Sequence, residues 1–109
     1  MSLSVVTTRS PNGEVEIRPQ GEIDVDTAHE VREAVTAVMN SSRPTLIKLN
    51  MRRVTFIDSV GISALVSGFQ AAEVGGAKLI ITEPSRFVHR QLWVTGLLGL
   101  FGAPEPAHD

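Results

Sequence analysis

Short apolar runs of strand length alternate along this chain with longer amphipathic runs of helix length, and that alternation restricts the fold more than any other feature. Leu46, Ile47, Leu49 and Met51, with Lys48 and Asn50 interleaved, read as a buried central strand, and Lys78-Leu79-Ile80-Ile81-Thr82 reads as another. Around them lie three helical patterns. Ala28, Val31, Val35, Val38 and Met39 share one face; Ile62, Leu65, Val66, Phe69 and Ala72 share a second; Phe87, Val88, Leu92 and Trp93 mark a third. Strand and helix in strict alternation imply parallel strands joined by right-handed crossovers, with the helices covering the sheet.

The N-terminal end adds an antiparallel element. Val5 and Thr7 alternate into Ser10-Pro11-Asn12-Gly13, and Val15 and Ile17 alternate out of it, the pattern of a hairpin around Asn-Gly. Pro19 has no N–H to give a ladder, which assigns it to an edge, a bulge or the end of its strand. Gly21-Glu22-Ile23-Asp24 then leads to the first helix. Thr27 and Glu30 have the spacing of a capping box, with Asp26 as the rival cap. Asn40-Ser41-Ser42-Arg43-Pro44 ends that helix, Gly75-Gly76 ends the second, and Pro84-Ser85 opens the third. The expected fold is therefore α/β, a mixed sheet with a leading hairpin and then parallel βαβ strands. It forms a single domain over residues 1–109, with about 102–109 as a frayed Pro-rich tail.

A chain of 109 residues buries a core without disulfide or metal support, and with no cysteine it can form neither a disulfide framework nor a thiolate metal site. The N-terminus lacks the charged and apolar regions of a signal peptide, and no apolar run approaches the ~20 residues that span a bilayer. A soluble, cytoplasmic protein with no membrane insertion is expected. The net charge of −2 argues against direct nucleic-acid binding, which needs clustered Lys and Arg. Arg52-Arg53 and Arg86-His89-Arg90 read as a solvated rim, and Trp93 with Phe87 reads as packing.

One stretch stands apart from this framework: Val54-Thr55-Phe56-Ile57-Asp58-Ser59-Val60-Gly61-Ile62. It sits where a strand hands over to the second helix, outside the carboxyl ends of the strands, where open sheets gather function. Asp24 lies at the same end. Ser59 fits a plain helix N-cap. Against that as the whole account, Gly61 lies in the first turn, where glycine costs up to about 1 kcal/mol relative to alanine. Ser63, Ser67 and Gly68 are further weak helix formers, and Phe56-Ile57 place apolar bulk where a solvated connection is normally polar. Together they suggest a surface shaped for another chain.

Phe56-Ile57-Asp58-Ser59-Val60-Gly61-Ile62-Ser63, with Gly21-Glu22-Ile23-Asp24 and Thr27 upstream, resembles the signature of the STAS domain, in particular of bacterial anti-sigma factor antagonists. The strand–helix order fits that family through about residue 95. The resemblance implies that Ser59 is phosphorylated by a partner anti-sigma factor that is also a serine kinase. The unphosphorylated protein binds that partner and frees a sigma factor, and a phosphatase resets the switch. It further implies that Asp58 orients the acceptor or engages the partner, and that Asp24, Thr27, Gly61 and Ser63 belong to the same partner-binding surface. STAS modules also serve in larger stress-signalling complexes and beside membrane transporters, and both roles remain alternatives at this point.

No enzyme is expected. His29, His89 and His108 are distributed over helix one, helix three and the tail, Gly-x-Ser-x-Gly is absent, and there is no phosphate-binding glycine loop. No catalytic residue, metal ligand set or cofactor is assigned. The family commonly adds a strand and a last helix after helix three. Here Gly96 to Gly102 offers a short strand, and Pro104 and Pro106 leave no room for the helix. An exposed apolar edge, and a homodimer through it, are the expectation.

Overall fold

The computed structural model describes residues 2–102. Residues 103–109, which hold most of the expected frayed tail together with Pro104, Pro106 and His108, lie outside the described residues. The elements are β1 (Leu3–Arg9), β2 (Glu14–Ile23), α1 (Ala28–Ser42), β3 (Leu46–Asn50), β4 (Val54–Ile57), α2 (Ser59–Val74), β5 (Lys78–Thr82), α3 (Arg86–Val94) and α4 (Leu98–Phe101). β1 and β2 form the expected antiparallel hairpin, turning at Gly13 with φ 85°. The sheet runs β1-β2-β3-β5, and β4 also pairs with β2, making it five-stranded and mixed.

β2 serves two parallel partners in succession. Glu14–Ile17 pairs with β3, and Gly21–Ile23 pairs with β4. Pro19 falls in the interval between them. Against β1 it sits opposite Val5, at a position that exchanges no ladder bonds with that strand, so its nitrogen faces the side where β2 changes partner. The missing N–H thus costs no ladder bond. Pro19 belongs to the interior of an inner strand, and the expectation of an edge, bulge or strand end is corrected on that account.

α1 and α2 cover one face of the sheet side by side. Val31, Val35 and Val38 of α1 are buried, as are Ala64, Leu65 and Ala72 of α2, over Ile17, Ile47, Leu49, Leu79 and Ile81. A Cβ on Gly68 would stand 3.3 Å from Val35 Cγ2, so glycine sets the close approach of the two helices. On the other face the strands carry polar pairs, including Lys48 Nζ to Glu14 Oε1 at 2.8 Å, and just past the ends of β3 and β5 Arg52 Nη1 meets Glu83 Oε1 at 3.1 Å. The hydrogen bond and charge of Glu14 raise the Lys48 pKa above its ordinary value.

α3 runs along β4. Ser85 Oγ donates to Val54 O at 2.6 Å, and the rings of Phe56 and Phe87 lie 5.4 Å apart. Val88 and Leu92 fill the inner face of α3, whereas Trp93 is 66% exposed, so the packing role expected for Trp93 is corrected. The segment expected as a short last strand is the helical turn α4. It delivers Phe101 to full burial, edge-on to Phe69 at 5.9 Å. That burial takes Phe101 out of the apolar edge expected at this end, while Leu100 stays exposed.

Candidate functional site

β2 and β4 end side by side. Ile23 is in register with Ile57, and Asp58 N donates to Ile23 O at 3.2 Å. The loop that starts at Asp24 and the one that starts at Asp58 therefore leave from neighbouring strand ends. This brings together the candidate residues from the two segments.

The first loop is held from within. Asp24 and Thr27 are 4% and 3% exposed, the buried polar residues among those described. Thr27 Oγ1 donates to Glu22 O at 2.7 Å and accepts from Asp24 N at 2.9 Å. Asp24 Oδ1 accepts from Asp26 N at 2.9 Å, and Asp24 O accepts the N–H groups of Thr27 and Ala28. The expected capping box is absent. Thr27 precedes α1 with helix-like dihedrals, φ −116° and ψ −13°, and its hydroxyl turns back to β2 instead of onto the helix start. Asp24 and Thr27 thus lie beneath the surface they were expected to line. Thr27→Val should cost about 1–2 kcal/mol in a thermal melt, because it leaves buried backbone groups without partners.

The second loop presents its serine outward. Asp58, in extended conformation, is the N-cap of α2, and its Oδ1 accepts from Gly61 N at 2.9 Å. Ser59 is the first helical residue. It is exposed, and its hydroxyl bonds to no group among the described residues. Capping by Ser59 itself is therefore corrected: the neighbouring carboxylate performs it and leaves the hydroxyl available. Asp58→Ala should lower stability by about 1 kcal/mol and Asp58→Asn by much less, since both Asp and Asn cap well; melting temperatures of the two variants check this.

Two features read as signs of a partner surface have internal causes. Ile57 is 2% exposed and belongs to β4, while Phe56 packs on Phe87. Gly61 is buried, and a Cβ there would come within 2.5 Å of Ile23 O and 2.6 Å of Ile57 Cγ1. The glycine is required because α2 begins hard against the ends of β2 and β4. Ser63, by contrast, is exposed one turn beyond Ser59, and positions four apart share a helix face. Val25 and Val60, 67% and 39% exposed, are apolar neighbours of the site that the sequence reading did not single out. Bulky residues directly beside a displayed serine and an expected loop acid were the available signal.

Arg52 is engaged by Glu83, and Arg53, Arg86 and Arg90 are exposed. Among the described residues no group of His, Asp and Glu could hold a metal ion, and no helix is long and apolar enough to cross a membrane.

A mixed sheet backed by two helices, with a serine displayed at the first position of the second helix, is the layout of a small α/β domain that offers a hydroxyl to its surroundings. The chain belongs to the STAS domain family, whose model matches residues 5–108. A curated anti-sigma-B factor antagonist of Staphylococcus aureus is 30% identical over 105 residues, spanning 96% of this chain and 95% of the relative. Among solved structures, an anti-sigma factor antagonist from Mycobacterium paratuberculosis is similar with a TM-score of 0.83 at 22% identity, covering 95% of this chain and 86% of the other. The anti-sigma factor antagonist SpoIIAA in its unphosphorylated form is similar with a TM-score of 0.76 at 24% identity, covering 97% and 90%. At such identities the two structures establish the shared fold.

Proposed function

We propose that this protein is an anti-sigma factor antagonist, a cytoplasmic binding module without catalytic activity or cofactor. With Ser59 unmodified it sequesters an anti-sigma factor and so releases a sigma factor. The anti-sigma factor, acting as a serine kinase, phosphorylates Ser59 and frees itself, and a phosphatase restores the binding form. The observation that carries this reading is the division of labour at the start of α2: Asp58 caps the helix, so the Ser59 hydroxyl is free and exposed. The name of the S. aureus relative supports the choice of partner.

Each site residue has a part in this scheme. Ser59 is the acceptor, and Ser63 extends the contact along α2. Asp58 fixes the backbone on which Ser59 rides. Asp24 and Thr27 hold the adjoining loop, and Gly61 brings the helix start close to the strand ends. A phosphate adds about −1.5 to −2 charges at pH 7. The first turn of α2 itself contains no acidic residue, so the new charge meets the positive end of a 16-residue helix, with the capping carboxylate of Asp58 as the one acid directly beside it in sequence. That interaction is worth about 0.3–1 kcal/mol in favour of the fold. At a closed protein interface the same charge must be desolvated and faces any acid on the partner, which costs several kcal/mol. The complex breaks while the domain stays folded.

Competition tests the reading. Unphosphorylated protein added to a preformed complex of anti-sigma and sigma factor should release the sigma factor on a native gel. A complex that persists at saturating antagonist contradicts the proposal.

A further inference from the structure

β1 is the outer strand of the sheet, and among the described residues nothing pairs beyond it. Its hydrogen-bond phase is fixed by bonds at either end: Ser10 N donates to Glu14 O at 2.9 Å, and Glu22 N donates to Ser2 O at 3.2 Å. Both agree with the register that sets Val6 opposite Arg18. Bonded and non-bonded pairs alternate in an antiparallel ladder, so Ser4, Val6 and Thr8 turn their backbone groups toward β2. Leu3, Val5, Thr7 and Arg9 then direct N–H and C=O groups outward. An edge of this kind is ordinarily guarded by charge, proline or a bulge. From Leu3 to Thr8 there is no charge and no proline, and the β1–β2 register runs without a shift. Val6 is 50% exposed on the polar face of the sheet.

We infer that this edge is a self-association surface, and that its occupant is β1 of a second copy, antiparallel about a two-fold axis at Val6. The strand is its own complement in that arrangement. The outward groups of Val5 meet those of Thr7 of the second copy, and those of Leu3 meet those of Arg9, over the full length of the strand. Val6 meets its counterpart at a non-bonded position, where side chains approach most closely, and Ser4 meets Thr8. No like charges are opposed. Arg9, the strand's one charge, is held at the end of α1 by Ser41 and Ser42. The interface is isologous, as closed two-fold dimers require. Because the strands run antiparallel, the two Ser59 loops point in opposite directions and both stay accessible. The inference is independent of the phosphorylation switch.

Sedimentation of the full chain over a wide concentration series, with amide exchange at both ends of the series, tests it. Wild type should pass from monomer to dimer, and the amides of Val5 and Thr7 should slow in the dimer while that of Val6 is protected throughout. Val6→Lys, at an exposed position, should weaken association about tenfold or more by opposing two ammonium groups at the axis. Val5→Pro removes an outward donor that β2 does not use and should weaken it likewise. A monomer at every concentration overturns the inference. So does a dimer indifferent to Val6→Lys, or one whose Val5 and Thr7 amides exchange as fast as in the monomer. Should Val5→Pro fail to fold, Val6→Lys and the exchange pattern decide the matter.

Discussion

Ser59→Asp is expected to weaken binding to the anti-sigma factor by at least about thirtyfold while moving the melting temperature by only a degree or two. The binding loss corresponds to about 2 kcal/mol or more for a charge desolvated at a closed interface. The fold is spared because Ser59 is exposed, its side chain makes no hydrogen bond among the described residues, and it sits at the positive end of α2, where an acid is favourable. Ser59→Ala should bind as wild type does and should resist switching, since nothing in the free protein leans on the hydroxyl. Calorimetric titration of the three proteins, with a thermal melt of each, separates the two effects. Equal affinity of wild type and Ser59→Asp contradicts the switch, whereas a large drop in melting temperature contradicts the division of labour between Asp58 and Ser59.

Gly61→Ala should have the reverse profile, with a large effect on the fold. The added methyl would stand 2.5 Å from a backbone oxygen of β2 and 2.6 Å from a side-chain carbon of β4. Backbone cannot yield as a flexible side chain does, so the start of α2 must lift away from both strands. Overpacking of this kind costs about 2–3 kcal/mol, which outweighs the gain of up to ~1 kcal/mol from replacing glycine in a helix. For a domain of this size the melting temperature should fall by about 5–15 °C. Partner binding should weaken as well, because Ser59 moves with the helix start. An unchanged melting temperature contradicts the packing role of Gly61.

The parts of the fold legible in the sequence are those where a single periodicity prevails. β3, β5 and the buried face of α1 appear as expected because each buries one repeating set of side chains against one neighbour. β4 does not show as a strand of its own: four residues are too few to show alternation, and Phe56 and Ile57 read as part of the connection into α2. The tolerance of Pro19 depends on where β2 exchanges one partner for another, a property of topology that no local pattern encodes. Thr27 and Glu30 have capping-box spacing, yet the threonine hydroxyl finds Glu22 O and Asp24 N, both set in place by the turn from β2 into α1. Trp93 shares helical spacing with buried residues but projects from the far side of a short helix. At the site, the sequence pointed to Asp24 and Asp58 at one end of the sheet, and the structure sets the two loops they begin side by side. The sequence could not apportion the work among Asp58, Ser59 and Gly61, because capping, display and close packing all favour small or polar residues at a helix start.

The proposed switch requires that one exposed hydroxyl, that of Ser59, receives the phosphate. Its most direct test is intact mass after incubation with candidate kinase anti-sigma factors and ATP, using Ser59→Ala as the control. A single phosphate on wild type and none on Ser59→Ala is the predicted result. Phosphate on Ser59→Ala, or an unmodified wild type in the presence of an active kinase that binds it, contradicts the account.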